Sequence, residues 1–161
     1  MTNWYWRSEV GQLPFLALLA GAAIACQATM NARLGVLLNN PLLASGIAFL
    51  FSFLLTAAAV ATSTKHYPQI AQIKAVPVYL WFAGSTLSAF GVATFYYLIP
   101  KMGVGSMTSF ALSGQILVAM IAGHFRWFGL AENPINTLKM VGMATLIVGV
   151  YLINWESPHG Y

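Results

Sequence analysis

The residues of this chain that could do chemistry are polar side chains inside long apolar stretches. Gln27 and Asn31 are four positions apart, so they lie on one face of a helix. Gln115 lies in a later apolar stretch. Hydrocarbon offers no hydrogen-bond partners, so such amides must bind one another, water or a solute. They are candidates for neutral hydrogen-bonding groups on a cavity wall, and interhelical hydrogen bonds are the alternative.

Hydroxyl groups form a second candidate set in the same stretch as Gln115. Ser106, Ser109 and Ser113 follow helical spacing at i, i+3 and i+7, which places them on one side of a helix. Ser109 and Ser113 are therefore candidate substrate contacts. A serine in a helix can also bond the carbonyl one turn back, so a purely structural role remains open.

Two further residues are candidates at the ends of apolar stretches. Arg33 follows Asn31 by two positions, roughly 200° around a helix, so it points away from the amide face. It either reaches the membrane surface by snorkelling or contacts an anion on another cavity wall. Tyr97 lies near the end of its stretch and is a candidate gate or rim residue, although interfacial tyrosines are usually anchors.

Composition argues against an enzyme, a metal site and a nucleic-acid surface. The chain has three acidic residues, all glutamate and none inside an apolar stretch, and one cysteine. No Ser-His-acid, Cys-His or metal-ligand spacing occurs, so we expect no catalytic residue, no metal and no cofactor. Seven Lys and Arg scattered over 161 residues do not form a basic face, so we expect no nucleic-acid partner.

The elements that must position these residues are membrane-spanning helices. The chain is 59% hydrophobic and 6% charged, whereas soluble domains are about 25% charged. Apolar runs of roughly 20 residues are long enough to span a bilayer as helices. Five such spans are predicted, at about 13–38, 41–62, 76–99, 102–123 and 136–154. The sequence therefore predicts an all-α membrane protein with one membrane domain over residues 1–161.

The distribution of basic residues predicts the orientation. An odd number of spans places the two termini on opposite sides of the membrane. Five basic residues fall on the amino-terminal side and at most two, Arg33 and Lys101, on the other. Cytoplasmic loops carry the excess of Lys and Arg, so we expect a cytoplasmic amino terminus. The five residues are Arg7, Lys65, Lys74, Arg126 and Lys139.

Several motifs resemble a known family. Gly21, Gln27, residues 31–35 (Asn-Ala-Arg-Leu-Gly) and residues 40–45 (Asn-Pro-Leu-Leu-Ala-Ser) resemble the opening of YdcZ-like proteins, the five-helix branch of the drug/metabolite transporter superfamily. Residues 114–117 and the following His124-Phe125 resemble that group's fourth helix and its exit. Residues 142–150 are similar to the last helix of small multidrug resistance proteins, where that helix mediates dimerisation.

The resemblance implies a secondary transporter in the bacterial inner membrane for a small polar or amphipathic solute. Five helices then form one half of a drug/metabolite-transporter-like bundle. The partner is a second copy of this chain or a related five-helix chain. The resemblance does not fix whether the two chains are parallel or antiparallel in the membrane. The small multidrug exporters have a mid-membrane glutamate where this chain offers alanine and Gln27, which argues against proton-coupled export of organic cations. The competing hypothesis is a non-transporting membrane subunit or scaffold whose polar residues only hold helices together.

Overall fold

The chain is built from α-helices, five of which can cross a membrane. The computed structural model describes residues 3–129 and 131–155, with side chains from position 12 onward. Within these residues there are six α-helices and no strand, and five helices are long and apolar enough to span a bilayer. The predicted fold class is confirmed. Arg7, one of the five basic residues used to predict the orientation, lies outside the described side chains.

The helices form two compact units, residues 1–100 and residues 101–161. Their bounds lie within a few residues of the predicted spans, apart from the longer amino-terminal part of the first helix. A short helix before the third span was not predicted. The helices are α1 (Asn3–Leu37), α2 (Pro41–Ser63), α3 (Ile70–Ala75), α4 (Val78–Met102), α5 (Val104–His124) and α6 (Thr137–Asn154).

The end of α4 differs from the prediction. The predicted span ends at residue 99, directly before Pro100, but the helix continues to Met102. A proline removes a single backbone hydrogen bond and does not by itself end a helix in the membrane. The break comes at Gly103, whose φ of 82° is readily adopted only by glycine.

A tight turn joins α1 to α2. Asn39 adopts a left-handed conformation with φ of 51°, and the Asn40 N–H donates to the Gly35 carbonyl at 2.9 Å. This pattern is a Schellman helix end, with asparagine in the position that glycine usually takes. The Asn40 side chain then caps α2 by accepting from the Leu43 N–H at 3.0 Å. Pro41 begins α2, where its missing N–H removes no helical bond.

Small residues bring α1 and α2 into close contact. Ala28 and Ala32 on α1 and Ala44 on α2 are buried, and Gly35 lies against the first turn of α2. A Cβ on Gly35 would lie 3.2 Å from the Cα of Pro41. Close backbone approach through small side chains is how helices associate in lipid, because burying apolar surface there gives no net driving force.

In the second unit, α5 and α6 are joined by a loop with its own hydrogen bonds. A 3₁₀ turn at Trp127–Gly129 begins the loop, and Asn136 caps α6 by accepting from the Lys139 N–H at 2.9 Å. The Lys139 ammonium donates to the carbonyl oxygens of Asn133 and Pro134. Lys139 is therefore tied to the loop at the start of α6.

Candidate functional site

Two of the predicted residues meet on a tyrosine in the first unit. The Asn31 amide donates to the Tyr96 hydroxyl oxygen at 2.9 Å, and the Gln27 amide donates to the same oxygen at 2.5 Å. Gln27 and Asn31 lie one turn apart on α1, and Tyr96 lies in the last two turns of α4. We refer to these three residues as the amide–tyrosine cluster.

The three side chains of the cluster differ in solvent exposure. Tyr96 is only 2% exposed, whereas Asn31 is half-buried and Gln27 is exposed. Tyr96 lies between Ala93 and Ile99 on one face of α4, and both of these side chains are also buried. The tyrosine is thus fixed by packing, and the amides are the more exposed part of the cluster.

Hydrogen-bond capacity remains after the two bonds are made. A tyrosine hydroxyl both donates and accepts hydrogen bonds, and the two amides use its accepting capacity. Among the described residues, none accepts the Tyr96 hydroxyl proton and none donates to the oxygens of Gln27 or Asn31. One hydroxyl donor, two carbonyl acceptors and one N–H of each amide are therefore available to a polar molecule.

Sequence reasoning selected Tyr97 and missed Tyr96. Tyr97 is 50% exposed and lines a groove between α2 and α4 with a volume of about 580 Å³. The two tyrosines differ by about 100° around the helix. The signal that could have identified Tyr96 is Ala93, a small residue three positions earlier on the same face of α4.

Arg33 lies apart from the cluster. Its side chain is exposed on α1, in agreement with the expected angular separation from Asn31, and it forms no ion pair with any described acidic residue. The structure therefore places it near the end of α1, away from the residues that bind Tyr96.

The serines of the second unit form a separate hydrogen-bond network with α6. Ser109 donates to the Ser106 carbonyl at 2.8 Å, and Ser113 donates to the Ser109 carbonyl at 2.9 Å. The Ser109 oxygen also accepts from the Asn154 amide at 3.0 Å. Asn154 was not singled out by sequence reasoning, because it lies at the predicted helix end where polar residues are common.

A cavity of about 400 Å³ lies between α5 and α6 beside this network. Ser113 and Asn154 line it together with the aromatic rings of Phe110, Tyr151 and Trp155. Gln115 is on α5 but does not line this cavity, and its side chain is exposed.

The chemistry that these groups can perform is recognition by neutral hydrogen bonds. Within residues 12–129 and 131–155, no group of three or more His, Cys, Asp or Glu side chains is placed to hold a metal ion. Amides and hydroxyls bind polar atoms without selecting a charge. The amide–tyrosine cluster can therefore form hydrogen bonds with the polar atoms of a molecule that reaches it.

Comparison with known proteins assigns the chain to a family. Residues 12–152 match the family described as "Putative inner membrane exporter, YdcZ". The match includes four of the five spans in full and all but the last two residues of the fifth. No curated protein and no solved structure matches the chain.

Proposed function

Because this chain belongs to the YdcZ family of inner membrane exporters, we propose that it is a secondary transporter of a small polar or amphipathic solute. The coarser conclusion, a multi-pass membrane transporter of the inner membrane, follows from the family and the five spans. The proposal adds a site and a class of substrate.

The observation that carries the proposal is the unused hydrogen-bond capacity of the amide–tyrosine cluster. Its two amides lie on the exposed side of a buried tyrosine. In hydrocarbon, leaving such groups without partners is unfavourable. An aqueous cavity or a bound solute supplies the missing partners, and transporters bind solutes inside the membrane in this way.

The cluster carries no charge, and this supports a polar solute as the class of substrate. A neutral site pairs with hydroxyl, amide or carbonyl groups on a solute, whereas a fixed cation requires a counter-charge in a low-dielectric site. The other candidate contacts from the sequence are proposed separately for each unit, two as secondary contacts or rim residues in the first unit and three in the second. They are Arg33, Tyr97, Ser109, Ser113 and Gln115.

The proposal includes a dimer, either with a second copy or with a related five-helix chain. Alternating access is commonly built from two structural repeats that move about a central site. Five spans supply one such repeat, so a second chain provides the other. Chemical crosslinking in native membranes tests this part, and a chain that remains monomeric at every protein-to-lipid ratio would contradict it.

The same two hydrogen bonds also favour a second candidate, a membrane scaffold without transport. They join α1 to α4, and interhelical hydrogen bonds in membranes contribute about 0.6 kcal/mol on average. Under this alternative the cluster is dry, and its remaining groups face lipid or protein.

Water access distinguishes the two candidates, and the chain offers a matched control. Cys26 is the single cysteine and is exposed beside Gln27. The two positions differ by about 1.5 Å in depth and about 100° in direction. We compare wild-type protein with the double variant Cys26→Ala/Gln27→Cys, using a membrane-impermeant methanethiosulfonate reagent on vesicles of both orientations.

A thiolate attacks the reagent, forms a mixed disulfide and displaces methanesulfinate, and ionisation of the thiol requires water. For a transporter, the thiol introduced at position 27 reacts from at least one side. We expect it to react much faster than the wild-type thiol of Cys26, which points about 100° away around α1. For a scaffold, both positions resist the reagent from both sides but react fully after denaturation in detergent. Resistance of both positions to the reagent from both sides would overturn the proposal.

A further inference from the structure

An unsatisfied acceptor lies at the end of α6, outside the amide–tyrosine cluster. The Asn154 side-chain oxygen is buried, and it has no hydrogen-bond partner among the described residues. Buried polar atoms are nearly always bonded. An exception beside a cavity therefore indicates a missing donor.

The orientation of the Asn154 amide is determined by its other bonds. Its nitrogen donates to the Val150 carbonyl at 2.7 Å and to the Ser109 oxygen at 3.0 Å. Ser109 cannot donate back, because its proton goes to the Ser106 carbonyl. Both amide hydrogens are thus used, and Asn154 offers an acceptor alone.

The surroundings of this acceptor favour a positively charged donor. The cavity that Asn154 lines is bordered by the rings of Phe110, Tyr151 and Trp155, and aromatic faces attract cations. The carbonyl end of α6 also carries partial negative charge. Among the described residues that line the cavity, none is charged.

We propose that the cavity between α5 and α6 binds the primary ammonium group of a zwitterionic lipid, with the Asn154 oxygen accepting one N–H. The position of the cavity favours a lipid as the source of the ammonium group. The site lies at the end of a membrane span, and Tyr151 and Trp155 are exposed there, as is typical of aromatic residues at the lipid headgroup level. A lipid also brings its own phosphate, which balances the ammonium charge in a cavity whose described lining residues include no carboxylate.

The number of N–H groups on the lipid tests the proposal. The nitrogen of phosphatidylethanolamine has three N–H groups. The monomethyl derivative has two and the dimethyl derivative has one. Phosphatidylcholine has the same charge and no N–H group. The protein is purified in detergent with equal amounts of two lipids that have identical acyl chains, and retained lipid is measured by native mass spectrometry. We expect the protein to retain roughly five times as much phosphatidylethanolamine as phosphatidylcholine, because one hydrogen bond changes a binding constant by about this factor.

Two variants separate a binding role from a structural role. Asn154→Leu removes the acceptor, and the preference should disappear. Ser109→Ala removes the bond between α5 and α6 but keeps the Asn154 oxygen, which the Val150 carbonyl still orients, so the preference should remain. Equal retention of the two lipids by the wild-type protein, a test that needs no variant, would overturn the proposal. A preference that survives Asn154→Leu would overturn it as well.

A soluble amine identifies the source of the ammonium group. Ethylammonium chloride at millimolar concentration carries the same N–H donors without acyl chains or phosphate. A lipid site should keep its bound phosphatidylethanolamine under these conditions. Displacement of the lipid by ethylammonium would overturn the assignment to a lipid. Because the readout is lipid retention, a failed transport assay leaves this inference intact, and the reverse also holds.

Discussion

The amide nitrogen of Asn31 lies 2.9 Å from the hydroxyl oxygen of Tyr96, a residue 65 positions further along the chain. The contact joins α1 to α4 within the first unit and places a half-buried amide on a tyrosine that is 2% exposed. Because the tyrosine is fixed by its packing, a change of one atom at position 96 can be compared cleanly with the wild-type protein.

Tyr96→Phe keeps the ring and removes the oxygen that both amides bind. We expect a loss of about 1 kcal/mol in unfolding free energy, the size of an interhelical hydrogen bond in a membrane. Reversible unfolding in mixed micelles measures it. Tyr79→Phe is the control on the same helix, because Tyr79 is exposed and should change stability by less than ~0.5 kcal/mol. Equal effects of the two substitutions would contradict the prediction.

Transport should also depend on the Tyr96 hydroxyl. Proteoliposomes are loaded with a defined mixture of isotope-labelled polyols, sugars, nucleosides and amides, and released solutes are measured by mass spectrometry. We expect wild-type protein to release at least one solute faster than empty liposomes, and Tyr96→Phe to lower that rate at equal amounts of folded protein. Unchanged release by the variant would remove the cluster from the transport site.

Gly35→Ala should destabilise the contact between α1 and α2. The new Cβ would lie 3.2 Å from the Cα of Pro41, and the backbone of a capped turn cannot move away easily. Overpacking of this kind costs about 1–3 kcal/mol. Gly21→Ala is the control, because a Cβ there meets nothing within 4 Å. That substitution should stabilise the helix by up to ~1 kcal/mol. The two variants should therefore shift the unfolding midpoint in opposite directions.

Asn40→Ala should weaken the start of α2. The Asn40 side chain accepts from the Leu43 N–H, and loss of such a cap costs about 0.5–2 kcal/mol. Asn40→Asp keeps an accepting oxygen and should retain most of the stability. Thermal unfolding of both variants provides the measurement, and an aspartate variant as unstable as the alanine variant would show that the cap is not the cause.

The amino terminus should lie in the cytoplasm. The loop between α5 and α6 then lies in the cytoplasm too, and the end of α6 lies outside. Alkaline phosphatase, which is active only outside the cytoplasm, should be inactive when fused after Asn133 and active when fused after Trp155. The reverse pattern would show that the excess of Lys and Arg on one side does not set the orientation.

The sequence by itself determined the fold class and the number of spans. A bilayer selects local properties, namely length and apolarity over about 20 residues, and these can be read without knowing any tertiary contact. The turn at Asn39 and Asn40 is also local, since helix ends are specified by neighbouring backbone and side-chain groups. Gln27 and Asn31 were recognisable for the same reason, as amides on one helix face.

Only the tertiary structure decided which groups those amides meet. Choosing Tyr96 over Tyr97 requires the rotation of α4 relative to α1, and neighbouring residues on a helix differ by about 100°. The sequence did not identify Asn154 for the same reason. Its oxygen is seen to lack a partner only once the hydrogen bonds of its nitrogen to Ser109 and Val150 are known. A hydrogen bond between two helices depends on how each helix is rotated and how deep its residues lie. The pattern of residue types along one helix gives neither the rotation nor the depth of its neighbour.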